Sequence, residues 1–136
     1  MRLLLLNQFV PPDPAPTSRL LGDIAEEWQS LGHEVVLVGN ASDYRGKKTW
    51  LGSRSLRELL GLAKLLVRGI AAPHCDHILC LTSPPLLPVI ARMIQVRHRG
   101  AGMTHWAMDV YPEVAVALGE IKLGSLLHRI TSRLMI

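Results

Sequence analysis

Three short, uninterrupted apolar runs constrain this chain most: Leu3–Leu6, Val35–Val38 and Ile78–Leu81. Successive side chains of a strand point to opposite faces, so a run that is apolar at every position must be covered on both faces. The stretches between the runs follow a different period. Leu20, Leu21, Ile24, Ala25, Trp28 and Leu31 recur at helical spacing, with Asp23, Glu26, Glu27 and Gln29 on the other side. Strands buried on both faces and separated by helices predict an α/β class with a doubly wound, mostly parallel, Rossmann-like sheet.

The elements can be placed along the chain. Arg2–Asn7 reads as the first strand. Gln8–Pro16 carries prolines at 11, 12, 14 and 16 and reads as a stiff, extended loop. Thr17 or Ser18 is the expected cap of the first helix, and Gly32 marks its end. Glu34–Gly39 is the second strand. The unit of strand, helix and strand closes right-handed, with parallel strands. After a polar loop, Ser53 caps a helix over Arg54–Ala72 whose expected apolar face is Leu56, Leu59, Leu60, Ala63, Leu66, Val67 and Ile70. Pro73 ends it. His77–Thr82 is the third strand, Leu86–Arg99 a further helix and Met103–Met108 the fourth strand. Val114–Leu118 and Leu123–Met135 read as helical. The apolar end at Leu134, Met135 and Ile136 suggests a polypeptide that continues.

Composition narrows the function classes. The chain has 136 residues, enough for one domain with a core of its own. Hydrophobic residues make up 49% and charged residues 19%, which excludes a disordered chain. The net charge of +4 is basic without being tail-like and permits phosphate or anionic-lipid contact. Two cysteines, Cys75 and Cys80, are too few for a disulfide scaffold and fit a reducing, cytoplasmic setting. The opening Leu3–Leu6 run is too short for a signal sequence, and no window is long and apolar enough to span a bilayer.

In open α/β sheets ligands bind beyond the carboxyl ends of the strands. The unusual residues of this chain fall there: Asn7 and Gln8 with Asp13 after the first strand, Gly39 and Asn40 after the second, Thr82–Pro85 after the third, and Asp109–Glu113 after the fourth. Each loop alone is also ordinary turn chemistry. Together they form one rim of carboxylates, hydroxyls and an amide, the default binding site. The glycine fingerprint of dinucleotide binders and the glycine-lysine phosphate loop are both absent. His74-Cys75-Asp76-His77 lacks zinc-ligand spacing and reads as a polar turn, so no metal is expected. Aromatic residues are 4% and the positive charge is dispersed, which argues against nucleic acid. The helix from Arg54 carries Arg54, Arg57, Lys64 and Arg68 against Glu58. It reads either as a solvated face over a core stripe or as a membrane-surface helix.

The loops also resemble a known family. Asn7-Gln8-Phe9-Val10-Pro11-Pro12-Asp13-Pro14-Ala15-Pro16-Thr17, the Leu31-Gly32-His33-Glu34-Val35 passage, Thr82-Ser83-Pro84-Pro85 and Asp109-Val110-Tyr111-Pro112-Glu113 occur in this order. The set is similar to the N-terminal domain of bacterial family 4 glycosyltransferases, in the fucosaminyl-transferase-like subgroup of O-antigen and capsule synthesis. The Leu-Gly-His-Glu-Val passage is generic, whereas the three loops in order are specific.

The resemblance implies half of a GT-B fold, with residues 1–136 as the acceptor-side domain and the donor-binding domain absent. It implies retaining transfer from a sugar nucleotide to a lipid-linked saccharide. No cofactor or active-site metal is implied, and the sugar nucleotide is held mainly by the missing domain or a partner subunit. The location implied is cytoplasmic, peripheral at the inner face of the membrane. Asp109 is the expected catalytic residue, and Asn7, Asp13, Thr17, Ser83, Tyr111 and Glu113 the expected substrate contacts. Arg54, Arg57, Lys64 and Arg68 are the expected membrane contacts. Met108 stands where relatives often have a polar Gln or His, which departs from the pattern. The rival expectation is a non-catalytic sugar or lipid head-group binding domain, or one subunit of a split transferase.

Overall fold

The computed structural model describes residues 1–40, 54–84 and 86–108, with the backbone alone at 54, 55, 57 and 58. Along the chain run β1 (Arg2–Leu6), α1 (Pro16–Ser30), β2 (Glu34–Val38), α2 (Arg54–Ala71), β3 (His77–Cys80), α3 (Leu87–Arg97) and β4 (Gly102–His105). The strands form one parallel sheet in the order β2-β1-β3-β4. The fold is therefore α/β and Rossmann-like. The expected loop after residue 40, its cap at Ser53 and the helices over 114–118 and 123–135 lie outside the described residues.

Strand β1 sits at the centre. Leu4 pairs with Val36 on one side and Ile78 on the other, and Leu3–Leu6 are all buried. Its alternate residues feed two cores. Leu4 and Leu6 join Val38, Ile78 and Cys80 beneath Leu65 of α2 and Leu87, Ala91 and Ile94 of α3. Leu5 joins Leu79 and Leu81 against Leu21 and Ala25 of α1, with Ile24 and Trp28 packed alongside. Among the described residues α1 is the helix on that second face. Beside it an apolar groove of about 660 Å³ runs over Leu3, Leu79 and Trp106, walled by Ile24 and Trp28.

Several expectations change in detail. Helix α1 starts at Pro16 with Ala15 as its N-cap, so neither Thr17 nor Ser18 caps it. Proline at the first helical position has a preset φ and no N–H to satisfy. Asp13 Oδ1 accepts the Ala15 N–H at 2.9 Å, and the Asp13 N–H bonds Val10 O, so the proline loop contains a turn and is not uniformly extended. The helix ends where expected, at Gly32, whose φ of +83° is cheap only for glycine. Strands β1, β3 and β4 stop at Leu6, Cys80 and His105, short of Asn7, Thr82 and Met108, although the N–H of the next residue in each still bonds the neighbouring strand.

The largest correction concerns α2. Its buried side chains are Leu62 and Leu65, with Leu66 partly covered. Leu56, Leu59, Leu60, Val67 and Ile70, the expected apolar face and a core stripe in one of its two readings, are exposed by 40–65%. The helix has a second apolar face, and the narrower one meets the sheet.

The α2–α3 contact is close. A Cβ on Gly69 would fall within 2.8 Å of Ile94 Cγ1, and Ile94 is fully buried. His98, also fully buried, clamps the same junction: its Nε2 meets Gly69 O at 3.0 Å and its Nδ1 accepts the Cys75 N–H at 3.2 Å. Overpacking such a site typically costs about 1–3 kcal/mol. Gly69→Val is expected to lower stability by that amount, read as a lower urea midpoint at unchanged slope.

Candidate functional site

The strand order fixes where a site can form. From β1 the chain crosses to β2 on one side, then returns over β1 to β3 on the other. The loops after β1 and β3 therefore part at a topological switch point, the usual ligand crevice of such sheets. Three backbone bonds stitch this carboxyl edge together. The Gln8 N–H donates to Ser83 O at 2.9 Å, the Asn7 N–H to Val38 O at 3.2 Å, and the Asn40 N–H to Gln8 O at 3.0 Å. The loops after β1, β2 and β3 are thus one continuous rim.

Side chains add to the stitching. Asn7 is fully buried, and its Nδ2 donates to Phe9 O at 2.8 Å and to Thr17 Oγ1 at 3.3 Å. This contact joins the strand end to the first turn of α1. The Ser83 hydroxyl donates to Gln8 Oε1 at 3.3 Å across the switch point. Thr82 Oγ1 donates to Trp106 O at 3.3 Å, so the end of β4 is tied to the loop after β3. Asn7 and Asp13 thus shape the first loop from within it, while Thr17 and Ser83 are half-buried on its two sides. Asp109, Tyr111 and Glu113 lie outside the described residues.

Two further residues take contacts that the sequence did not assign to them. Gln8 bridges to the third loop through both its backbone and its side chain. Its place after the first strand put it at the rim, but its partner lies 75 residues away and no local spacing points to that. Arg68 of α2 donates from its guanidinium to Gly39 O at the end of β2. This bond sets a cation, which the resemblance places among the membrane contacts, against the end of β2. Nearby, Asn40 Nδ2 donates to Gly61 O at 3.1 Å and holds α2 to the same edge. Gly39 has to be glycine on contact grounds, because a Cβ would lie 2.7 Å from Val10 Cγ1 and 3.1 Å from Asn7 O.

The opposite, amino edge of the sheet is an ion-pair latch. The Arg2 guanidinium sits 2.7 Å from Glu34, and its backbone N–H donates to Asp76 Oδ2 at 2.6 Å. The glutamate raises the Arg2 pKa further above its ordinary value. The 74–77 cluster is spent in such contacts, with His77 Nε2 meeting Thr104 Oγ1 at 2.9 Å. Among the described residues no group of three or more His, Cys, Asp or Glu could hold a metal ion.

Burial shifts three titratable groups of the sheet and its flanks. The Cys80 thiol is pushed up to about 12. Cys75 is raised by burial and, secondarily, by the Asp76 charge. His105, at the end of β4, is lowered from 6.5 by burial, and its Nε2 is buried without a partner among the described contacts.

Comparison with known protein families, with curated proteins and with solved structures gave no match to this chain.

Two outcomes are expected. Thiols that stay protonated and buried do not react, because the thiolate is the nucleophile. Neither cysteine should take up iodoacetamide at neutral pH in the folded protein, and both should label fully in denaturant. For His105 the folded state favours the neutral ring, so the unfolded chain binds more protons below a pH of about 6.5. Stability should fall as pH drops through that value, and His105→Gln should flatten this acid limb in pH-resolved urea melts.

Proposed function

We propose that this chain is the acceptor-side domain of a retaining glycosyltransferase, moving a sugar from a sugar nucleotide to a lipid-linked saccharide of the cell surface. The observation that carries the reading is the Gln8 to Ser83 bridge across the switch point. It joins the proline-rich loop and the Ser-Pro-Pro loop, two of the three motifs on which the resemblance rests. A rim of amides, hydroxyls and carbonyls suits a hydroxyl-rich ligand. The Arg68 charge at the end of β2 suits the diphosphate of a lipid-linked acceptor.

In this reading the domain holds the acceptor and leaves the donor sugar nucleotide to a second domain or a partner subunit. Transfer needs both substrates in one geometry, so the contribution of this half is orientation. Asn7 and Thr17 hold the first loop against α1, and Ser83 and Gln8 present polar groups at the crevice. Asp109, which follows β4 in sequence, orients or deprotonates the acceptor hydroxyl. Tyr111 and Glu113 act as further acceptor contacts. No metal takes part. Among the described residues no helix is long and apolar enough to cross a membrane. A lipid-linked acceptor would be met at the inner membrane face, in a peripheral position.

The test is acceptor binding. In ligand-observed NMR the chain should bind a farnesyl-diphosphate-linked N-acetylhexosamine. Ser83→Ala should weaken that binding roughly three- to tenfold, the effect of one lost hydrogen bond. In the protein as its own cells make it, Asp109→Ala should abolish sugar transfer and keep acceptor binding. Unchanged turnover by the Asp109 variant would remove the catalytic assignment. Failure of the saccharide to bind at all would remove the reading.

A further inference from the structure

Among the described residues, two apolar surfaces are left over once the cores are made. The first is a ridge. Leu56, Leu59, Leu60, Ala63, Val67 and Ile70 recur every three or four residues along α2, and all are exposed. At 100° per residue they fall within an arc of about 100°, turned away from Leu62 and Leu65, which face the sheet. The second is the groove of about 660 Å³ beside α1, on the opposite face of the sheet. Leu3, Leu79, Thr104 and Trp106 floor it, and Ile24 and Trp28 wall it. Soluble monomers rarely leave contiguous apolar surface of this kind without a use.

The two surfaces match in shape. The floor crosses β1, β3 and β4, two strand spacings of about 4.8 Å each, close to the width of one helix with its side chains. Along β4 it runs from Thr104 to Trp106, about 10 Å, which is two helical turns. Leu60 to Val67 of the ridge covers the same length, about 11 Å at 1.5 Å per residue. The surfaces also match in charge. Asp23 and Glu27 of α1 border the groove, both exposed and one turn apart, a like-charged pair that a cation relieves. Lys64 is exposed on the flank of the ridge, and no acidic residue occurs in α2 beyond Glu58. Ridge against ridge would instead oppose like charges, which is destabilising.

We infer that copies of this chain associate head to tail, the α2 ridge of one copy seated in the groove beside α1 of the next. Leu60, Ala63 and Val67 enter the groove over Leu79, between Trp28 and Trp106, and Lys64 lies against Asp23 and Glu27. Ridge and groove belong to opposite faces of the sheet, so each copy offers one of each. Such a contact is heterologous and builds a chain or a ring rather than a closed pair. The inference rests on α1, α2 and the sheet alone and stands or falls independently of sugar transfer.

The experiment is sedimentation velocity of the whole chain across the micromolar range, at low and at high salt. The mass is expected to rise with concentration past that of a dimer, and to fall back as salt screens the charges. Lys64→Ala should weaken the association about two- to fivefold, the worth of one exposed ion pair. Two variants should each be monomeric: Leu60→Glu with Val67→Glu, which spoils the ridge, and Thr104→Arg, which fills the groove. Leu60 and Val67 are more than half exposed and Thr104 is exposed, so both variants should keep their circular dichroism and melting temperature. Mixed, they should form a one-to-one dimer and nothing larger, since the mixture can pair only the sound ridge of one with the sound groove of the other. A wild-type chain that stays monomeric at low salt overturns the inference, as does a mixture that stays monomeric. Association that the ridge variant abolishes and Thr104→Arg leaves intact would pair ridge with ridge, and overturns it as well.

Discussion

Strand β1 is hydrogen-bonded along both edges and covered on both faces, and every other element takes its position from it. Leu4 and Leu6 anchor the core under α2 and α3, while Leu5 anchors the core under α1. A parallel sheet offers no short return path, so each neighbour of β1 must be reached through a crossover helix. The right-handedness of those crossovers then sends α1 to one face and α2 with α3 to the other. The split between the β1 and β3 loops at the carboxyl edge is a consequence of the same geometry.

That split would leave two flexible loops if nothing joined them. Instead the Gln8 N–H reaches Ser83 O, Asn7 reaches Thr17, and Thr82 reaches Trp106 O. The rim is held mainly by backbone groups and short polar side chains, which fixes its shape at little cost in side-chain entropy. A proline-rich loop suits this arrangement, since it has few N–H groups to satisfy and few conformations to lose. The burial that stiffens the rim also shifts its titratable neighbours, which keeps Cys80 protonated and His105 neutral.

Helix α2 shows how one amphipathic sequence can serve two surfaces. Its sheet-facing side is narrow, with Leu62, Leu65 and Gly69, and Gly69 lets α3 approach closely. Its broader leucine stripe faces outward. Apolar periodicity reports that a helix has an oily side and says nothing of what covers it. Where two stripes coexist, the wider one draws the eye and the tighter one makes the core.

The sequence by itself determined the class and, among the described residues, which segments are strand and which helix, because periods of 2 and 3.6 are local properties of the chain. It also marked the carboxyl edge as the candidate site, since each strand was followed by a polar, prolyl or glycyl loop. The tertiary structure decided what those local patterns could not encode. It placed Gln8 against Ser83, 75 residues apart in sequence, and Arg68 against Gly39 O. It moved the cap of α1 from a hydroxyl to Ala15, because Pro16 opens the helix and Thr17 is committed to Asn7. It chose which stripe of α2 lies on the sheet, because that choice follows from helix packing at Gly69 and Ile94 rather than from hydrophobicity. Each of these depends on two segments meeting in space, and the pairing of distant segments is set by the whole packed core.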